Sequence, residues 1–129
     1  MTELASTMTP AEIASRAAHA IRVLNDLTHG GGELSNSGDV RAIVASLELI
    51  GQGLPQLYEQ LARFLVIQHE DGQLAHEDGH DPDHSVTEVI EALTAAGQAA
   101  DMMTAALGEA RRATDGLTVP RLSLARKTG

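Results

Sequence analysis

The chain has 129 residues, 43% of them hydrophobic but only 2% aromatic, with no cysteine and a formal charge of −9. That length makes one domain with a modest core, and the missing cysteines exclude disulfides and zinc–thiolate sites. A charge of this sign repels phosphate backbones, so no nucleic-acid partner is expected.

No apolar run comes near the ~20 residues of a membrane span, and no membrane partner is expected. The start, MTELASTMTP, lacks the basic and apolar stretches of a secretory signal, which predicts a soluble, cytoplasmic protein. Eight arginines against the single Lys127, with abundant alanine and glycine, point to a GC-rich bacterial source. Tyr58 and Phe64 are the only aromatic residues, so aliphatic and alanine packing must supply the core.

The first predicted element starts at TPAE, residues 9–12. Thr9 can cap, Pro10 sits where its missing N–H costs nothing, and Glu12 completes a capping box. Ile13, Ala17, Ile21, Leu24 and Leu27 then recur on one face, and the glycines at 30–32 stop the helix near His29.

The second helix starts after SNSGD, where Asp39 favours a helix N-terminus. Val40, Ile43, Leu47, Ile50, Leu54, Leu57, Leu61 and Phe64 then follow one another at alternating three- and four-residue spacings, the stripe of a helix packed on a partner helix. Pro55 deprives the Gly51 carbonyl of its partner and predicts a kink. The stripe passes through it unshifted, which favours one kinked helix over a break with Pro55 opening a fourth. The third helix is expected to begin at HSVTE, with Ser85 and Glu88 at capping-box spacing, and to close at Asp115-Gly116.

The fold class expected is therefore all-α, an antiparallel bundle of three helices near residues 10–29, 38–71 and 84–115. A flexible N-terminus (1–8) precedes the single helical domain (9–117), and a basic tail (118–129) follows it. At 1.5 Å per residue the two long helices each span about 50 Å and the first about 30 Å. Short connections make neighbours antiparallel, so the first helix would leave the far halves of the long ones uncovered. Those halves hold Leu61, Phe64, Leu65, Ile67, Val89, Ile90 and Leu93, and a second copy is the expected cover, making a homodimeric four-helix bundle. An unidentified protein partner is the competing cover.

Residues 69–84, HEDGQLAHEDGHDPDH, join the long helices and hold four histidines and six carboxylates. Two readings stand: a hydrated acidic turn, or a metal- or pH-responsive site. For a divalent metal the candidate ligands are His76, His80, Asp81 and His84, imidazoles suiting zinc, nickel or copper. Gly79 and Pro82 interrupt the helix that would align those imidazoles. An EF-hand fails, because a loop starting at Asp81 has Val86 and Ala92 where glycine and glutamate are required. No nucleophile with an adjacent base and no phosphate-cradling glycine loop is readable, so neither an enzyme nor a resident cofactor is expected. The function expected is an interaction or adaptor module acting through its long amphipathic helices.

Overall fold

The computed structural model describes residues 7–118 and residue 120. The expected flexible N-terminus and basic tail lie mostly outside them. Three α-helices run Pro10–Thr28 (α1), Ser37–Glu70 (α2) and Asp83–Thr114 (α3), each bound within a residue of the expectation. No strand occurs among the described residues, and none of the helices is long and apolar enough to cross a membrane. The chain divides into two units, residues 1–36 and 37–129, each described by itself. The expected placement of the first helix along the hairpin is a matter between the two units.

In the first unit Thr9 caps α1 as its spacing predicts. The Glu12 N–H donates to the Thr9 hydroxyl oxygen at 3.1 Å, and that hydroxyl donates to the Glu12 carboxylate at 3.1 Å. Pro10 opens the helix. A single 3₁₀ turn, His29–Gly31, follows it, with Gly30 at φ 62° and Gly31 at φ 85°, a backbone that favours glycine.

The second unit is a helical hairpin. α2 runs unbroken through Pro55, so the alternative of a fourth helix opening there does not hold. Pro55 lies against α3 where that helix has no side chain. A Cβ built on Gly97 would sit 3.7 Å from the Pro55 Cα, ordinary van der Waals contact.

The two helices run antiparallel in a register fixed at both ends. Arg41 pairs with Asp115 and Glu48 with Arg111 at the open end, and His69 pairs with Asp83 next to the connection. Between them the helices approach closely through small residues: Gly51 is buried against Thr104, and Ala100 and Gly108 are buried on α3.

This seam is not the stripe that the sequence makes most conspicuous. α2 meets α3 through Glu48, Gly51, Pro55, Tyr58, Ala62 and His69, all buried or half-buried. The bulky stripe is displaced from it by one residue, about 100° around the helix. Leu57, Leu61 and Phe64 are 45%, 48% and 60% exposed. Spacing reveals that a stripe exists and not which neighbour it faces. The small residues allow the helices to close and leave the large ones for another side.

α3 also starts differently from its expected cap. It begins at Asp83, two residues before Ser85, and the Asp83 N–H donates to the Asp81 Oδ1 at 2.9 Å. Pro82, with φ −74°, turns the chain into helix before Ser85 is reached.

The Glu48–Arg111 pair closes at 2.6 Å with Glu48 only 15% exposed. The hydrogen bond from Arg111 holds the Glu48 carboxyl below the ordinary carboxylate range, and that from Arg41 does the same for Asp115. Carboxyls lowered in this way stabilise the fold fully above their ordinary values, 4.5 for Glu48 and 3.8 for Asp115, and lose that contribution as pH falls through the folded values. Thermal melts from pH 6 down to pH 3 are therefore expected to fall below about pH 4.5. Glu48→Gln with Asp115→Asn should flatten that acid limb; an unchanged limb would show that these pairs do not set it.

Candidate functional site

Two features of the hairpin carry chemistry: its acidic tip and its uncovered apolar face. The tip starts where α2 ends. The Gly72 N–H donates to the His69 carbonyl at 3.1 Å and the Gln73 N–H to the Gln68 carbonyl at 2.9 Å, a Schellman closure with Gly72 at φ 71°. The second HEDG closes in a similar turn, the Gly79 N–H donating to the His76 carbonyl at 3.0 Å with Gly79 at φ 84°. The doubled tetrapeptide thus has a structural meaning: each copy turns the chain at its own glycine.

Of the four residues expected to share a metal, the structure brings His76 and His80 together, around a carboxylate outside the set, and turns Asp81 and His84 elsewhere. His76 and His80 each turn Nδ1 to the same oxygen, Asp78 Oδ1, at 2.7 and 2.9 Å. The His80 side chain, and behind it the His80 N–H, hold the Asp78 carboxyl below its ordinary range. His84 turns along α3 to Glu88 at 2.7 Å. Asp81 faces the start of α3. Gly79 and Pro82 are the cause, since without a continuous helix the four-residue spacing of the imidazoles aligns nothing.

A different set does converge. One ligating atom each from His69, Asp81 and Asp83 lie within 4.8 Å of one another. Only Asp81 was legible as a candidate. His69 was hidden at the end of α2, and the signal that marks it is its place on the seam, seven residues after Ala62 and eleven after Tyr58.

The apolar face follows from the antiparallel register. In such a pair, residues one position before the seam on both helices emerge on the same side, and residues one position after it emerge on the other. On the first side α2 presents Leu54, Leu57, Leu61 and Phe64, a ridge, while α3 presents Val89, Ala92, Ala96 and Met103, a lower shelf. Of the residues expected at an interface, Leu61, Phe64, Ile67 and Val89 are exposed. Leu65, Ile90 and Leu93 are half-buried, and Ile90 and Leu93 also reach the second side. There a groove of about 570 Å³ has a mainly apolar lining that includes Tyr58, Val66, Ile90 and Leu93, with Glu59 and Arg63, paired at 2.9 Å, on one wall and Gln98 and Asp101 on the other.

No protein-family model, no curated protein and no solved structure matches the chain.

Proposed function

We propose that the protein acts by binding rather than by chemistry, and that its hairpin associates with a second copy to form a four-helix bundle. One observation supports this reading: the apolar stripes of α2 and α3 are centred on a common side rather than on each other. A hairpin that was complete by itself would turn its largest side chains into its own seam. Here the closest part of the seam is glycine and alanine, and among the described residues Val86 and Ala100 are the buried hydrophobic ones.

The side is also self-complementary. A two-fold axis sets the ridge of each copy over the alanine shelf of the other, large residues against small, which is how facing layers interdigitate. Each ridge side chain gains roughly 1.5–3 kcal/mol on full burial. The groove on the opposite side is apolar at its floor but rimmed by Glu59, Arg63, Gln98 and Asp101, and has no such ridge.

The full chain at about 50 µM is expected to give twice its monomer mass by light scattering, and to dissociate on dilution together with a loss of thermal stability. A wild-type protein that stays monomeric at several hundred micromolar overturns the proposal, and residues 1–36 of the same chain become the cover to test.

A further inference from the structure

We infer that His69, Asp81 and Asp83 form a binding site for a divalent transition cation of the zinc class. The inference is independent of self-association. It rests on three segments meeting: the last turn of α2, the connection and the first residue of α3 each supply one ligand, with the ligating atoms within 4.8 Å of one another.

Two of the three side chains are held in place. His69 is held on the helix seam with its side chain 28% exposed, and its Nε2 faces the Asp83 carboxylate. Asp81 is anchored through one oxygen, which accepts the Asp83 N–H at 2.9 Å, leaving its other oxygen available. Asp83, 69% exposed, is free to turn. In a tetrahedral site, bonds of about 2.0–2.2 Å put two ligands of one ion about 3.3–3.6 Å apart, so the side chains need draw in by no more than about 1.5 Å from their 4.8 Å limit.

The donor set selects the ion. The imidazole favours zinc, nickel or copper, and three protein ligands are too few for calcium, which takes six to eight oxygens. Three protein ligands leave a position for water. The neutral imidazole would bind through Nε2 with its proton on Nδ1.

Electrostatics point the same way. Ten acids and no lysine or arginine lie between Arg63 and Arg111, so the fixed charge of the tip is negative throughout. A bound cation would offset it and tie the end of α2 to the start of α3.

The test is calorimetric titration of the chelator-stripped full chain with zinc chloride, with melting temperature as a second readout. One zinc per chain at micromolar concentration is expected, raising the melting temperature. Asp81→Asn should weaken binding at least ten-fold while keeping helicity, because asparagine retains an oxygen for the Asp83 N–H. His69→Ala should do at least as much, and the triple change of His76, His80 and His84 to alanine should leave the site intact. No saturable binding overturns the inference. So does binding that survives Asp81→Asn, or binding that the triple change reduces as much as Asp81→Asn does, since either assigns the ion to the loop at large.

Discussion

Leu61→Asp together with Phe64→Asp is expected to convert the associated protein to a monomer. In the proposed bundle both side chains lose their exposure to the second copy, and a carboxylate there has no cation to meet. Burying an unpaired charge costs more than the apolar contact it replaces, so dissociation should be complete at concentrations where the wild type is a dimer. The same changes in a solitary hairpin would fall on exposed positions, 48% and 60% accessible, where substitutions shift stability by about 0.5 kcal/mol or less. Sedimentation and thermal melts of the variant separate the two cases. An unchanged mass with an unchanged melting temperature would remove this face from any account of association. Glu59→Gln with Gln98→Ala, on the opposite groove, is the matching control and should leave the mass unaltered.

The second large effect is expected at Gly51. A Cβ there would overlap the Thr104 hydroxyl and crowd the Met103 methyl at 3.1 Å. Thr104 cannot swing aside freely, because its hydroxyl donates to the Ala100 carbonyl at 2.7 Å and its own Cβ lies 3.4 Å from the new group. Gly51→Leu must therefore part the helices at their closest approach, a cost of about 1–3 kcal/mol from overpacking. This exceeds the roughly 0.5–1 kcal/mol that a glycine-to-alanine change returns in helix propensity. Gly53→Ala, with nothing within 4 Å, should show that gain alone and stabilise. In a Gly51→Ala chain, Thr104→Ala removes the obstructing hydroxyl and should restore much of the loss. Denaturant melts of the wild type, Gly51→Ala, Thr104→Ala and the double variant measure the cycle, and a Gly51→Leu chain as stable as the wild type would show that the seam is looser than its glycines imply.

The contrast between these two sites explains how much of the molecule was legible beforehand. Helix number and bounds followed from local signals, Thr9 with Glu12, the glycines after His29 and the uniform spacing from Val40 to Phe64, because capping and periodicity act over a few residues. The partner of each stripe did not follow. Period alone fixes the angle between residues on one helix, and the rotation of that helix against its neighbour depends on Gly51, Gly97 and Gly108, whose significance is the absence of a side chain. For the tip, composition announced ligands but spacing misassigned them. His76, His80 and His84 look aligned only on a helix that Gly79 and Pro82 prevent, while His69 and Asp83 are 14 residues apart and meet only because the chain reverses between them.

That reversal also orders the events of folding. The partners that span the hairpin are 14 residues apart beside the connection, 63 for Glu48 with Arg111 and 74 for Arg41 with Asp115. Closing the widest loop directly costs about 1.5 kcal/mol more in chain entropy than closing the narrowest. Each contact formed near the connection shortens the loop that the next one must close, so the lowest-cost route zips outward from the tip. The first step on that route brings together the most acidic part of the chain, before either arginine pair has formed. Ions in the surrounding solution are therefore expected to speed that first step by screening the tip, and the arginine pairs, formed last, to slow the opening of the hairpin.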